Sequence, residues 1–191
     1  SLLGTTGGNT LDGGSGNDTM DGGDGNDVYF VDSINDTVIE AASKGLSDKV
    51  IVAATASGYT LADNVENLEI ASGSTGISVK GNDLDNSITG NNAANTMDGG
   101  AGNDTLAGGA GDDMYLIDSL GDAVKDTSIS GVTEVQSSVT NYDLSKISLS
   151  GSQLVYRYKG SESQKLIGAN GNDTIQGDDG NDTVYGNLGS D

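Results

Sequence analysis

A nine-residue period governs this chain. Gly13-Gly14-Ser15-Gly16-Asn17-Asp18-Thr19-Met20-Asp21 is followed in register by Gly22-Gly23-Asp24-Gly25-Asn26-Asp27-Val28-Tyr29-Phe30. The frame returns over Gly99 to Ala107 and Gly108 to Leu116, and again over Gly168 to Gln176 and Gly177 to Tyr185. Weaker copies extend each group: Gly4 to Asp12, Val31 to Ile39, Gly81 to Thr89, Gly90 to Asp98, Ile117 to Lys125 and Lys159 to Ile167. Fixed periods of this kind mark arrays of one structural unit that cannot bury its apolar face alone.

Within a copy, glycine holds positions one, two and four, aspartate position six and an apolar residue position eight. Glycine tolerates positive φ and close backbone approach, so the first six residues read as a tight loop with carbonyls turned inward. The last three alternate polar, apolar, polar, as in Thr19-Met20-Asp21, which is a very short strand burying one side chain. Loop plus strand every nine residues predicts a coil with two strands per turn and loops on one side every eighteen residues. Met20 then stacks on Val38, and Leu11 on Tyr29. No segment carries a 3.6-residue apolar period, so little helix is expected. The predicted class is all-β, a right-handed parallel β-roll (a β-solenoid) in blocks joined by two β-rich spacers.

The blocks are expected at 1–39, 72–125 and 159–191, with spacers at 40–71 and 126–158. Strand-like pieces in the spacers are Val50 to Val52, Tyr59 to Leu61, Val65 to Ile70, Val135 to Val139, Ile147 to Leu149 and Gln153 to Tyr158. Tyr29-Phe30-Val31-Asp32-Ser33 parallels Tyr115-Leu116-Ile117-Asp118-Ser119, 86 residues later, and Asp48-Lys49-Val50 loosely matches Thr133-Glu134-Val135. A larger module of repeats plus spacer thus occurs about one and a half times. Asp191 falls at the sixth position of a further copy starting at Gly186, as expected of a piece of a longer polypeptide.

Composition decides what such a coil needs. The net charge is −21, only 34% of residues are apolar and 4% aromatic, and there is no cysteine, histidine or tryptophan. Few large apolar side chains and high charge leave burial too weak to offset chain entropy unless something positive intervenes. Of the 29 acids 24 are aspartate, the short carboxylate that fits a tight loop. Carboxylates and carbonyls converging between stacked loops suit a hard cation. Calcium accepts about six to eight oxygens in irregular geometry, whereas magnesium demands a stricter octahedron. Zinc sites favour nitrogen and sulfur, and this chain offers neither histidine nor cysteine. Eight basic residues form no patch for nucleic acid, and no apolar run is long enough for membrane insertion.

The six full copies resemble the RTX (repeats-in-toxin) hemolysin-type calcium-binding repeat family. Two of them depart at position two, where Ala169 and Asp178 replace glycine. The phrase from Tyr59-Thr60-Leu61 to Asn64-Val65-Glu66-Asn67-Leu68 is similar to spacers of large RTX adhesins and related exoproteins. The resemblance implies a right-handed parallel β-roll, several calcium ions, type I secretion, and folding outside the cell or on the bacterial surface. It implies calcium ligation by the sixth-position aspartates Asp18, Asp27, Asp104, Asp113, Asp173 and Asp182, and by Asp36, Asp122 and Asp191 in weaker copies. Asn9, Asn86 and Asn95 would supply neutral oxygens and weaker sites. Asp36 and Asp122 read equally as solvated turn residues, and Asn86 and Asn95 as asparagine turns.

A flexible glycine linker and ordinary hairpins explain neither the fixed aspartate nor the strict period. The expected role is a calcium-binding structural and secretion module without enzymatic activity. The alternative is an adhesin-type module binding glycan, protein or ice through outward Thr19, Thr105, Thr174, Thr183 and their neighbouring asparagines, which form partial ladders interrupted by the spacers, too short for a long ice-matching array. A calcium-dependent enzyme fragment comes last, since Glu66, Glu69 and Glu134, outside the pattern, lack an evident partner. Arg157 and Lys159 beside Tyr156 and Tyr158 are expected to blunt an exposed edge strand, with a carbohydrate or protein contact as the other reading.

Overall fold

A computed structural model describes residues 1–42, 45–128, 131–151, 153–168, 172–186 and 189–191. Ala169 lies outside the described residues. The chain winds into a β-solenoid in which successive strands alternate between two faces. One face is an eight-stranded sheet of Thr10–Asp12, Val28–Val31, Lys49–Val52, Asn67–Ile70, Ser87–Thr89, Thr105–Gly109, Ala123–Asp126 and Ile147–Leu149, in that order. The other begins with three strands, Leu2–Leu3, Thr19–Asp21 and Thr37–Ile39. It continues with seven: Tyr59–Thr60, Ser78–Lys80, Thr96–Asp98, Met114–Ile117, Val132–Ser137, Gln153–Tyr158 and Thr174–Gln176. Lys165–Ile167 and Thr183–Tyr185 form a final pair. Every pairing is parallel, for example Ser87 opposite Thr105 and Thr96 opposite Met114. Among the described residues helix is confined to two short 3₁₀ turns, Ala54–Ala56 and Leu144–Lys146.

The eighth-position side chains stack as the period requires, Met20 on Val38 and Leu11 on Tyr29. The ladder through Tyr29, Val50, Leu68, Ile88, Leu106 and Val124 is fully enclosed. Its partner runs through Val79, Met97, Tyr115, Val135 and Tyr156. Most strands contribute one or two buried side chains, such as Met20 from one and Tyr29 and Val31 from the next.

The segments between the blocks are turns of the same coil, lengthened rather than refolded. Lys49 pairs with Val28, 21 residues back, and Ile147 with Val124, 23 residues back, against eighteen within the blocks. Extra residues bulge out as loops while strand register is kept. They also add apolar mass: Val52, Val65, Ile70, Tyr142 and Leu144 are buried.

One expectation is corrected. Gln153–Tyr158 is not an edge strand, because it pairs on one side with Val132–Ser137 and on the other with Thr174–Gln176. Alternation sends Tyr156 and Tyr158 into the core and leaves Arg157 outside, ion-paired to Glu134 at 3.1 Å. The threonines form only partial ladders, in keeping with the interruptions. Thr19 faces Thr37, Thr105 lies between Ser87 and Ala123, Thr174 faces Val155 and Thr183 faces Lys165, in four different sheets.

Candidate metal centre

Each loop is shaped around the carboxylate of its sixth residue. A Cβ built on Gly99 would strike Asp104 Oδ2, and one on Gly108 would strike both Asp113 Oδ2 and the Tyr115 hydroxyl. Position one therefore needs glycine for space, with the carboxylate folded back over its own loop. Position two needs positive φ, 96° at Gly109. Asp178, standing at that position in its copy, adopts a φ of 60°, which aspartate tolerates better than most residues.

The other carboxylate oxygen locks one turn to the previous one. The Asn86 N–H donates to Asp104 Oδ1 at 2.7 Å, Asn95 N–H to Asp113 Oδ1 at 2.8 Å, and Asp104 N–H to Asp122 Oδ1 at 2.9 Å. The bond recurs from Asn9 to Asp27, Asp18 to Asp36, Gln164 to Asp182 and Asp173 to Asp191, at 2.5–3.1 Å. Sixth-position carboxylates thus form columns along the coil axis, each one turn above the next.

Two classes of aspartate emerge within these columns. Asp27, Asp104 and Asp113 are buried, and the Oδ2 atom of each has no hydrogen-bond partner. Burial drives the Asp104 carboxyl up to about 7 and Asp113 to about 6, with neighbouring aspartates adding to it. An enclosed carboxylate oxygen without a donor is costly unless a cation completes it. Asp36 and Asp122 differ. Their Oδ2 atoms accept two further N–H groups, from Asp32 and Ser33 and from Asp118 and Ser119, at 3.0–3.2 Å. Both are buried rather than solvated. Asp173 is also buried, Asp18 and Asp182 are partly exposed, and Asp191 is exposed.

The asparagines close their turns. Asn86 Oδ1 accepts the Asn82 N–H at 2.8 Å, and its amide donates to the Val65 carbonyl at 3.1 Å. Asn95 likewise accepts from Asn91 at 3.1 Å. In the Asn86 copy amide hydrogens meet loop carbonyls, whereas the buried Asn95 amide nitrogen has no such acceptor.

Sequence reasoning missed Asp48 and Glu40. Asp48 takes the column position above Asp27, whose N–H donates to its Oδ1 at 2.7 Å. Insertion in the longer turn moved it out of the nine-residue frame. The available signal was the triplet Asp48-Lys49-Val50, which repeats the aspartate–x–apolar order of Asp27-Val28-Tyr29. Its Oδ2 is also buried and unpartnered, and burial raises its carboxyl. Glu40 stands one turn after Gly22 and is pushed up to about 7, chiefly by burial. The glutamates that lacked partners in the sequence have structural ones. Glu66 accepts the Asp48 N–H at 2.9 Å, and Glu69 pairs with Lys49 at 3.1 Å.

Oxygen donors alone, a Cβ-free cradle and unpartnered buried carboxylate oxygens fit a hard divalent cation. They would be held by Asp27, Asp104 and Asp113 with the carbonyls of their loops. Among the described residues no helix is long and apolar enough to cross a membrane. No curated protein and no solved structure shows significant similarity to the chain. A family profile described as RTX calcium-binding nonapeptide repeat (4 copies) matches residues 3–38, 80–115 and 160–191, more than half of the chain. With the stacked loops and their carboxylate columns, this match places the chain in the RTX calcium-binding nonapeptide repeat family.

Proposed function

We propose that this chain is a calcium-driven structural module of an exported protein, held unfolded until it meets extracellular calcium. The observation that carries the reading is the set of enclosed, donor-less Oδ2 atoms on Asp27, Asp104 and Asp113, each over a loop whose first α-carbon bears no side chain. Asp18, Asp173 and Asp182 are assigned the same role in their copies. Asp36, Asp122 and Asp191 stack above them as the second carboxylate of a shared site, with Asp36 and Asp122 also capping their own turns.

Several ions would offset a charge of −21 and add what the thin core lacks. Binding to the folded state alone contributes about 2.7 kcal/mol per site at a hundredfold excess over Kd. Net stabilities of about 5–15 kcal/mol are typical, so a few sites decide whether the coil forms. Low calcium inside a cell and high calcium outside would make the same chain threadable through a type I channel and rigid afterwards. The role is structural rather than catalytic: Glu66, Glu69 and Glu134, outside the repeat pattern, are engaged in a turn cap and ion pairs. Scattering of the threonines over four sheets gives an adhesin-type binding face no continuous platform.

A circular-dichroism titration tests this. In chelator the chain should lack β signal and gain it cooperatively as calcium is added. Full β signal in chelator would overturn the reading.

A further inference from the structure

Inside the coil, where the first repeats pass into the longer turn, three acids meet. Asp27, Glu40 and Asp48 each bring a carboxylate oxygen within 4.8 Å of the others. Their relative exposures are 0%, 8% and 1%, so all three are enclosed. Asp27 Oδ2, Glu40 Oε2 and Asp48 Oδ2 have no hydrogen-bond partner. Their remaining oxygens are anchored: Asp27 Oδ1 by the Asn9 N–H, Asp48 Oδ1 by the Asp27 N–H, and Glu40 Oε1 by the Tyr29 hydroxyl. Each side chain is thus fixed through one oxygen and offers the other. The α-carbon of Gly22 faces Asp27 Oδ2, Glu40 Oε1 and the Tyr29 hydroxyl, leaving the cluster room that any Cβ would take.

We propose that Glu40 and Asp48 join Asp27 in a three-carboxylate calcium site in the interior of the coil, which makes the site of this loop the tightest of the chain. It rests on the calcium reading above but draws on Glu40, which comes from position one and not from the aspartate column. Calcium affinity rises with the charge of the ligand set, and no other group of three such acids occurs among the described residues.

The second module supplies an internal control. Asp113, Tyr115 and Asp126 stand 86 residues after Asp27, Tyr29 and Glu40, and Glu134 pairs with Met114 as Lys49 pairs with Val28. The counterpart of Asp48 is Thr133. Its hydroxyl donates to Asp126 Oδ2 at 2.6 Å, and the Ser128 N–H donates to Asp126 Oδ1 at 2.7 Å. Two residues differ between the pockets, Asp126 for Glu40 and Thr133 for Asp48, and in the second one protein donors engage both oxygens of Asp126 while Asp113 Oδ2 alone stays without a donor.

Calcium calorimetry on the full chain, with terbium luminescence excited through tyrosine, tests the assignment. Glu40→Gln keeps the side-chain size and an acceptor for Tyr29. It should weaken the tightest calcium step by at least the roughly 10–100-fold that loss of a supporting partner costs. Thr133→Asp should add a tight step. Tyr29→Phe should dim terbium emission at the tightest step. Should Glu40→Gln not fold, Thr133→Asp decides: an added step supports the site and none overturns it. A wild-type chain that binds no calcium removes the broader reading as well. Several ions bound by wild type, with the same number and affinities in Glu40→Gln, would overturn this site alone. Undimmed emission from Tyr29→Phe at that step would do the same.

Discussion

Asp104 and Asp122 occupy the same repeat position one turn apart, and the fold treats their carboxylates differently. Asp104 Oδ2 lacks a donor, whereas Asp122 Oδ2 accepts the Asp118 and Ser119 N–H groups. Removing charge should therefore act through different states. Asp104→Asn takes away an oxygen meant for calcium, so the calcium midpoint of folding should rise severalfold, while the amide finds loop carbonyls as Asn86 does. Asp122→Asn presents an NH₂ group to backbone donors, and should cost about 1–3 kcal/mol even at saturating calcium. Urea unfolding at several fixed calcium concentrations separates the two effects. Equal slopes of stability against calcium for both variants, each displaced from wild type alike, would contradict the division.

At the scale of the strand, three residues bury one side chain, and stability comes from stacking. Leu106 is fully enclosed between Ile88 and Val124. Leu106→Ala should cost about 2–5 kcal/mol. In a coil each turn touches only its neighbours, so the loss should remain local. Hydrogen exchange should accelerate in Ser87–Thr89 and Ala123–Asp126 and stay near wild type in Thr10–Asp12 and Val28–Val31. Uniform acceleration would show that the coil melts as one unit. The same locality explains what was legible beforehand. A strict period fixes both register and the buried position, so Met20 over Val38 could be read directly. Turns of 20 to 23 residues keep the register but break the count, which hid Asp48 in its column; Glu40 stays in the count but stands at position one, where no acid is expected. Arg157 and Lys159 looked like the guard of an edge. The strand is flanked on both sides, and alternation alone puts its charges outward. Composition reports which residues a strand carries, and the partner across the gap decides whether it is an edge.

For the whole molecule the governing balance is charge against a slender core. Without counter-charge, the buried carboxylates of Asp104, Asp113 and Glu40 sit well above their usual range because enclosure disfavours their ionised form. At neutral pH the metal-free coil must either hold charges that repel within its columns or open. Opening is opposed only by a slender core, in which a strand such as Thr19–Asp21 buries a single apolar side chain. Calcium reverses the balance at every loop it enters, and stacked turns share ions, so order should spread cooperatively along the coil. Magnesium carries equal charge but retains water and demands an octahedron, which the loop carbonyls do not offer. Small-angle scattering should therefore give a radius of gyration of roughly 47 Å in chelator, the value for an unfolded chain of this length. Calcium should collapse it to about 20 Å, slightly above the roughly 16 Å of a compact sphere-like fold because a solenoid is elongated. Equimolar magnesium should leave it near the expanded value. Compaction by magnesium to the same radius would mean that counter-charge alone folds the chain. The geometry of the loops would then be a consequence of folding, with no part in selecting the ion.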